Sequence, residues 1–506
     1  MTIELSNLTF TDQDDIVPSS GMEQIVNTGV ANTLAGNDSI TGDTTSTYKT
    51  LTGFYNSGTL NTDDGNDTIT GIGYAEFPWE GLGFYNIGII ETGNGNDRIT
   101  GSSKGGGIQS LSGTINTGND NDTIMGIADP YADMSGTGIS ISSSTLDTGE
   151  GDDVITGSTN GGRGIENIQS SFNTGDGNDT IIGNAGFGRG IINGGSMDTG
   201  NGNDIITGSG ALDADRVFAG SGILNYGTIN TGNGADSIIA HVENHHPFPF
   251  SNDIIVGINN GGIINTGEGA DSIIVHTENY RPLPLFNNII VGINNGGTIN
   301  TDEGADSIRV EGNFTNKGNV FLGEGNDSIA ADTGFPNRAL ENFNAIDTGD
   351  GNDIITSTGI IYNEGVINTG NGDDSIIVDG GVDDNGTRYG IYNNGGAINM
   401  GDGNDSIIAN EGFESGFNSS GAWFLGEGED YIKGFGSGDF YGGNGNDTLE
   451  LTPGTYTVGR WGEGGESTIF TKGNQLMITS EFEKLKAGST IYDFTSLTAG
   501  QIIVVP

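Results

Sequence analysis

The stretch Thr92-Gly93-Asn94-Gly95-Asn96-Asp97-Arg98-Ile99-Thr100 recurs in fifteen variants between residues 33 and 450. In each copy an isoleucine, or once Leu449, stands two residues after the aspartate, and a glycine stands two residues before it except where Asp120 replaces it. We call Thr92 to Asp97 and its equivalents the acidic loop, with positions one to six. Repetition of this kind predicts a solenoid rather than the several globular domains that 506 residues would otherwise suggest.

Every acidic loop ends on an aspartate, and glycine within the loop permits backbone conformations that a Cβ would hinder. Because a carboxylate is a hard oxygen ligand, these aspartates are the candidate metal-binding residues. They are Asp38, Asp67, Asp97, Asp122, Asp153, Asp179, Asp204, Asp236, Asp271, Asp306, Asp327, Asp353, Asp374, Asp405, Asp430 and Asp447.

A second apolar position lies nine residues before the isoleucine, and fifteen of the sixteen copies fill it with a large apolar residue, from Leu60 to Phe440. Many copies place it in the phrase N-x-G-x-I-N, as in Asn260 to Asn265. We therefore expect each coil to consist of two short strands that face each other across a thin apolar core. The acidic loop would join these strands along one edge.

The spacing between successive loop aspartates runs from 17 to 35 residues, whereas two strands of this kind need about 18. The excess falls between the isoleucine strand and the next apolar position, so we expect inserts to project from one edge of the solenoid. Examples are the segments around Phe77-Pro78-Trp79, from His241 to Phe250 and from His276 to Phe286.

The chain divides into residues 1–32, an N-terminal cap with a partly alternating apolar pattern, residues 33–451, the repeats, and residues 452–506, a β-rich C-terminal cap. Caps are expected because solenoid ends expose unpaired strands. In the C-terminal cap the pattern predicts strands at Tyr456 to Trp461, Ser467 to Thr471, Gln475 to Ser480 and Gln501 to Pro506, and a short helix at Glu481 to Lys486.

The composition limits the function classes. Apolar residues make up 33 % of the chain and the formal net charge is −51, with 16 Lys and Arg residues. General binding to nucleic-acid phosphates or anionic membranes is therefore excluded, because both need clustered basic residues. The chain has no cysteine, no run long enough to cross a membrane and no cleaved signal peptide at its N-terminus, so export would use another route.

Calcium is the cation that the aspartates favour. A hard divalent cation takes six to eight oxygens, more than one loop offers, but stacked coils would bring successive loops to about 4.8 Å. An ion between two loops could draw ligands from both, which gives up to about fifteen ions. The alternative is that Asp and Asn side chains stack in hydrogen-bonded ladders without metal. Like-charge repulsion among the carboxylates favours ions.

The repeats resemble those of the RTX family of hemolysin-type calcium-binding proteins, whose nonapeptide is GGxGxDxUx. Gly442 to Glu450 matches it at every fixed position, and the resemblance covers residues 33 to 450. It implies an all-β parallel β-roll or β-helix of about sixteen coils with terminal caps. It also implies calcium held by loop carbonyls and by Asp447 and its equivalents, and secretion by a type I pathway with an uncleaved C-terminal signal.

The chain departs from the RTX pattern in two ways. Loop position one is threonine in twelve of the sixteen copies, although a β-branched residue resists positive φ. The half-coil N-x-G-x-I-N carries no acidic loop, so we expect ions along one edge only. Leu34, Asp63, Asp120 and Asp302 replace loop glycines and could reduce occupancy there.

We predict a secreted, calcium-stabilised structural protein of a surface layer, matrix or adhesion system, with self-association into filaments or a lattice and a cell-surface glycan as candidate partners. We expect no enzyme, because the repeats begin at residue 33 and the common hydrolase and nucleotide-binding motifs are missing. The alternatives are a carbohydrate-active β-helix, such as a lyase or epimerase, and a glycan- or ice-binding adhesin. The second rests on an outward Ser and Thr column that Arg98 and Val154 interrupt.

Overall fold

The computed structural model describes residues 2–18, 23–45, 52–74, 81–128, 136–212, 220–244, 255–279, 290–332, 338–383, 386–415, 421–462 and 465–506. The described part of the protein is nearly all β, with 62 % of the described residues in strands and 2 % in helices. It consists of two compact units. Unit 1 comprises Met1–Glu268 and Ile274–Ile290, and unit 2 comprises Gly269–Ile273 and Val291–Pro506.

The strands of both units stack in parallel from one coil to the next, which confirms the predicted β-solenoid. In unit 1, Ile69 pairs with Ile99, and Ile99 with Ile124. In unit 2, Ile308 pairs with Ile329, which in turn pairs with Ile355. Equivalent residues of successive repeats therefore lie in register within each unit.

Most coils have three strands rather than the two that the half-period predicts. The post-loop strand starts directly after the loop aspartate, and the pre-loop strand ends just before the next acidic loop. Between them lies a middle strand, formed by part of the segment predicted to project as an insert. The prediction was wrong on this point because the middle segment also has alternate buried side chains, such as Phe54 and Asn56.

The bounds of the three strand types follow in chain order. The post-loop strands are Ser39–Asp43, Thr68–Ile72, Arg98–Ser103, Thr123–Ala128, Ile205–Leu212, Ser237–Asn244, Ser272–Asn279, Ser307–Glu311, Ser328–Asp332, Ile354–Ser357, Ser375–Val378, Ser406–Ala409, Tyr431–Lys433 and Thr448–Leu451. The middle strands are Gln24–Asn27, Phe54–Asn56, Phe84–Asn86, Gly106–Leu111, Gly136–Ser142, Ser221–Asn225, Ile255–Asn260, Ile290–Asn295, Asn313–Asn316, Arg338–Asn342, Ile360–Asn363, Ile391–Asn393 and Phe413–Ser415. The pre-loop strands are Val30–Asn32, Thr59–Asn61, Ile89–Glu91, Thr114–Asn116, Thr145–Asp147, Thr228–Asn230, Ile263–Asn265, Thr298–Asn300, Asn319–Phe321, Ala345–Asp347, Val366–Asn368, Ala397–Asn399, Ala422–Gly428 and Gly438–Gly445.

Two long strands, Val154–Asn173 and Thr180–Asp198, run continuously through all three positions of their coils. At the C-terminal end of the repeats, in contrast, a coil has only two strands. There Trp423 pairs with Phe440, and Ile432 pairs with Leu449. The predicted two-strand coil is thus found where the aspartates Asp430 and Asp447 are 17 residues apart, because that spacing leaves no room for a middle strand.

Both predicted apolar positions lie in the core. The sixteen residues that follow the aspartates by two positions are at most 1 % exposed, and so are the fifteen large residues nine positions earlier. The middle strands add a third apolar contribution, as where the rings of Phe54 and Phe84 stack with centroids 4.7 Å apart. The strands of each coil are short, so each coil needs only a few apolar side chains to fill the core, and a chain with few apolar residues can supply them.

A ladder of buried asparagines ends the middle strands. In unit 1, the amide of Asn193 donates to Oδ1 of Asn225 at 2.9 Å and accepts from Asn167 at 2.8 Å. In unit 2, Asn316 donates to Asn342 at 2.9 Å. Each amide nitrogen also donates to a backbone carbonyl of the next coil, so the donors are satisfied although the side chains are fully buried.

Replacing one member of this ladder should be costly. Asn342 accepts from Asn316 and donates to Oδ1 of Asn363 at 2.8 Å and to the carbonyl of Val366 at 2.9 Å. We expect Asn342→Ala to lower the free energy of unfolding by about 2–4 kcal/mol, because it leaves buried partners unsatisfied. Urea denaturation followed by circular dichroism measures this. The control Asn344→Ala removes an exposed amide–amide bond and should change stability by less than about 0.5 kcal/mol; equal losses would contradict the prediction.

Both chain ends depart from the repeats. Thr2–Glu4 pairs in parallel with Gln24–Asn27, and Leu5–Asn7 forms a 3-10 helix with Leu5 buried. In the C-terminal region the strands are Gly454–Trp461, Ser467–Lys472, Gln475–Ser480, Lys484–Ala487, Thr490–Asp493 and Ile502–Val505, and a second 3-10 helix spans Phe494–Ser496. A separate antiparallel pair joins Gly381–Val382 to Arg388–Tyr389.

The predicted C-terminal strands are confirmed, but the predicted helix at 481–486 was wrong. Lys484–Ala487 is a strand that pairs in parallel with Thr448–Leu451 and buries Leu485 completely. Its pairing with a neighbouring coil outweighs the local helix preference. The inserts predicted around residues 77–79, 241–250 and 276–286 lie largely outside the described residues. No helix in the described ranges is long and apolar enough to span a bilayer.

Candidate metal centre along the aspartate columns

The loop aspartates line up in one column in each unit, as the sequence predicts. Within a column, the backbone N–H of one aspartate donates to Oδ1 of the next aspartate at 2.7–3.0 Å. In unit 1 these bonds join Asp38, Asp67, Asp97, Asp122, Asp153, Asp179, Asp204 and Asp236, and in unit 2 they join Asp271, Asp306, Asp327, Asp353, Asp374, Asp405, Asp430 and Asp447. One oxygen of each accepting carboxylate is therefore used to bind the neighbouring coil.

The second carboxylate oxygen of most column aspartates is buried without a partner. The side chains are 0–2 % exposed, and a buried polar atom without a hydrogen bond is costly. Among the described residues, no hydrogen-bond partner is found for Oδ2 of Asp38, Asp67, Asp97, Asp122, Asp153, Asp179, Asp204, Asp306, Asp327, Asp353, Asp374, Asp405, Asp430 and Asp447. A bound cation or a bound proton would each remove this cost.

Burial raises the pKa of these carboxyl groups. The pKa of Asp153 rises to about 8 because of desolvation, to which the neighbouring carboxylates add, while the Thr148 hydroxyl and the N–H of Asp122 act in the opposite direction. Desolvation raises the pKa to about 7 at Asp67, Asp97, Asp204, Asp327 and Asp405, and to about 6 at Asp122, Asp179, Asp374, Asp430 and Asp447. Without a cation, the columns would take up protons near neutral pH.

The loop backbone explains why threonine is tolerated at position one. Left-handed φ values occur at positions two and four, as at Gly93 with +99° and Gly95 with +127°. Position one is not left-handed, even at Gly442, which carries the RTX glycine. Threonine therefore fits there without strain. Its buried hydroxyl donates to the next coil, as from Thr92 to the carbonyl of Thr117 at 3.0 Å.

The four residues that replace loop glycines keep the glycine-like backbone. Leu34, Asp63 and Asp302 at position two have φ of 68°, 59° and 58°, and Asp120 at position four has φ of 81°. A left-handed conformation costs a residue with a Cβ about 1–2 kcal/mol. The stacking of these loops on their neighbours thus outweighs the local conformational cost, and the positive φ is kept at these positions.

Successive loops touch each other directly. At position five, the N–H of Asn96 donates to Oδ1 of Asn66 at 2.8 Å in unit 1, and that of Asp373 donates to Asn352 at 2.7 Å in unit 2. At position four, the carbonyl of Gly325 lies against the Cα of Gly351. The bonds to Asn66 and Asn352 belong to the side-chain ladder that the sequence analysis gives as the alternative to bound metal.

The donor set fits calcium in type but not as a preformed cage. Carboxylate oxygens suit a hard cation, and unpartnered Oδ2 atoms recur at most coils of the described columns. However, no group of three or more His, Cys, Asp or Glu side chains in the described ranges is arranged to hold one metal ion. Further ligands would have to come from backbone carbonyls and water.

Sequence reasoning missed one member at the end of each column. The N–H of Asp15 donates to Oδ1 of Asp38 at 2.8 Å, and the N–H of Asp447 donates to Oε2 of Glu483 at 2.8 Å. The signal was present, because Asp15 precedes buried Val17 by two residues and Glu483 precedes buried Leu485 by two. The sequence pattern alone places both segments in the caps.

Two other surface features bear on the alternative functions. The predicted outward column is present, since Thr68, Arg98 and Thr123 are neighbours in register and point away from the core. A basic residue beside a carboxylate occurs at Arg338, which lies 3.1 Å from Glu341. Its guanidinium covers the ring of Tyr362 at 3.7 Å, so these groups satisfy one another.

The resemblance to RTX proteins rests on the repeat motif and its spacing. The stacked loops and buried aspartates agree with a parallel solenoid, whereas the three-strand coil and the direct loop contacts differ from the coil that the half-period predicts. No protein-family model matches this chain, and the comparison with curated proteins gives no match.

Proposed function

We propose that this chain is an extracellular structural β-solenoid of a surface layer, matrix or adhesion system, and that calcium ions neutralise its aspartate columns. The observation that carries the proposal is the recurrence of a buried carboxylate oxygen without a hydrogen-bond partner, coil after coil. A chain with a formal charge of −51 also needs cations to reduce its self-repulsion. No catalytic role is part of the proposal.

The column carboxylates would hold the ions through Oδ2, while Oδ1 keeps its bond to the neighbouring aspartate N–H. Calcium supplies positive charge to a buried row of carboxylates and accepts flexible coordination numbers. Ion binding would then stabilise the folded state by mass action, since the unfolded chain has no such row. Secretion by a type I pathway, as the RTX resemblance implies, belongs to the same proposal.

Asp153→Asn tests the role of the charge, because asparagine keeps the Oδ1 acceptor. In calcium we expect the variant to lose about 1–3 kcal/mol of unfolding free energy, since a ligand oxygen is lost. At pH 8 in calcium-free buffer we expect the opposite sign, since a buried charge is removed. Thermal melts followed by circular dichroism measure both effects.

The matched control is Asp152→Asn, which removes the same charge at the adjacent, exposed loop position. Its melting temperature should barely differ from that of the unchanged protein in either buffer. If Asp153→Asn shifts the melting temperature in the same direction with and without calcium, calcium does not bind at the column.

A metal-free solenoid neutralised by protons is the second candidate. It is favoured by the Oδ1 ladder, which already links the coils, and by the raised pKa of the column carboxyls, such as about 8 at Asp153. In that case calcium would not change the melting temperature, and pH alone would set the stability. Electron microscopy of the purified protein with calcium tests the structural role, since filaments or a lattice are expected from self-association.

A further inference from the structure

A groove lies between two rows of side chains on three successive repeats of unit 2. One row consists of the outward residues of the pre-loop strands, Asn399, Phe424 and Tyr441, which are neighbours in register. The other row is loop position three, where Asp402 pairs with Glu427, and Glu427 with Asn444. This groove, near the C-terminal end of the repeats, forms a cavity of about 430 Å³.

The floor of the cavity is bare backbone. Loop position two is glycine here, at Gly401, Gly426 and Gly443. A Cβ on Gly426 would lie 1.7 Å from the carbonyl oxygen of Gly401, and one on Gly443 would lie 1.8 Å from that of Gly426. In this backbone conformation a Cβ would clash at both positions, so the direct contact between coils forms the floor.

The exposed ring of Phe424 forms one wall. Phe424 is 41 % exposed and its ring stacks on that of Tyr441, with centroids 5.0 Å apart and an angle of 12° between the rings. A large exposed ring in a polar cavity is a characteristic feature of a binding site. Phe321, at the equivalent strand position, is 38 % exposed, but its register neighbours are Asn300 and Asp347.

The opposite wall and the end of the cavity are acidic. Asp402 and Glu427 lie across from Phe424, and Glu481 closes the groove. Glu481 is held in a left-handed conformation, φ +62°, with its carbonyl against Gly442. Asn444 donates to Glu427 at 2.6 Å, whereas no described residue donates to the Asp402 carboxylate. None of the nine residues that line the cavity is basic.

We propose that this cavity binds a sugar unit that carries a free amino group, within a polysaccharide that lies along the groove. The ring of Phe424, on which the Tyr441 ring stacks, provides an apolar surface for the C–H face of a pyranose, and the carboxylates and amides provide partners for hydroxyl groups. The ammonium group pairs with Asp402, Glu427 or Glu481. Acidic sugars are repelled by the same three carboxylates.

The proposal names a partner for the surface role proposed above and rests on that role, but it does not depend on calcium at the columns. Isothermal titration calorimetry of the full chain in calcium, at constant ionic strength, would compare hexamers of glucosamine, glucose and galacturonic acid. We expect the glucosamine hexamer to bind most tightly and the galacturonic acid hexamer not to bind.

Two matched pairs of variants separate this cavity from general attraction to an acidic protein. Phe424→Ala should weaken binding of the glucosamine hexamer about tenfold or more, whereas Phe321→Ala should not change it. Asp402→Asn should weaken it more than Asp350→Asn, which removes the same charge from position three of another loop. Circular dichroism confirms that each variant is folded.

Equal binding by the Phe424→Ala and Phe321→Ala variants would overturn the proposal, and so would binding of the galacturonic acid hexamer as tight as that of the glucosamine hexamer. Absence of binding by a protein that responds to calcium would overturn this proposal alone. Absence of a calcium response in a protein that binds the glucosamine hexamer would overturn calcium binding at the columns instead.

Discussion

Removing calcium at pH 8 is expected to lower the thermal unfolding midpoint of this protein by about 10 °C or more, and to remove much of its β-sheet circular dichroism signal at 37 °C. We expect this loss of stability because many carboxylates are buried close together in each unit. Each unit stacks eight aspartates, and an oxygen on most of them is buried without a partner. Without cations these carboxylates must either stay charged in a poorly solvated environment or bind protons.

The measurement is a thermal melt after dialysis against EGTA into calcium-free buffer, with magnesium added back as a control for a general divalent-ion effect. Magnesium should restore less stability than calcium, because it needs near-ideal octahedral geometry. An unchanged melt after verified removal of calcium would rule out calcium as the stabilising ion.

The pH dependence of the calcium-free protein has a definite sign. Burial raises the pKa of the column carboxyls in the folded state from the ordinary aspartate value of 3.8 to about 6 at Asp122, 7 at Asp97 and 8 at Asp153. The folded state therefore binds more protons than the unfolded chain. The contribution of the column carboxyls to stability is therefore complete below about pH 4 and is lost as the pH rises to about 8. Calcium should remove this loss; a melting temperature that rises with pH in calcium-free buffer would contradict the assignment.

Replacing a glycine at loop position four by alanine is expected to have the second largest effect on the stability of the protein. Gly351 has φ +145°, and a Cβ there would lie 1.3 Å from the carbonyl oxygen of Gly325 in the neighbouring coil. Its N–H also donates to the carbonyl of Asn371 at 2.7 Å, so the loop cannot move away without losing that bond. We expect Gly351→Ala to cost more than about 3 kcal/mol, measured by urea denaturation.

Gly473→Ala is the matched control. Gly473 has φ +63° in a hairpin turn, and a Cβ there would meet nothing within 4 Å. Alanine should cost about 1–2 kcal/mol there, from backbone conformation alone. Similar losses in the two variants would mean that the loops separate easily, against the tight stacking seen between Gly325 and Gly351.

The apolar offsets predict the solenoid well, because isoleucine two residues after each aspartate must be buried to fill the core. The same offsets do not predict the third strand. Its diagnostic residue is the first asparagine of N-x-G-x-I-N, such as Asn363, which ends a middle strand and is fully buried. An amide looks like a surface residue until stacked coils supply its partners, here Asn342 and Asn393. Its burial is a tertiary effect.

The alignment of the aspartates is likewise predictable from their spacing. Which carboxylate oxygen accepts a backbone hydrogen bond, and which is left without a partner, is not. Oδ1 of Asp153 accepts the N–H of Asp122, a bond between residues 31 positions apart. Sequence spacing alone treats both oxygens as ligands. The column ends at Asp15 and Glu483 were missed because neither lies in a complete glycine-containing loop.

The antiparallel hairpin near the C-terminus has a consequence for the order of folding in unit 2. Ser467–Lys472 and Gln475–Ser480 are separated by two residues, so they close a short loop, whereas the parallel coils join residues 17 or more positions apart. Short loops close fastest, and contacts that are distant in sequence slow folding. Gln475–Ser480 also pairs with Gly438–Gly445, the last pre-loop strand of the repeats. Once the hairpin has formed, the coils of unit 2 can therefore pair with it and then with one another in succession.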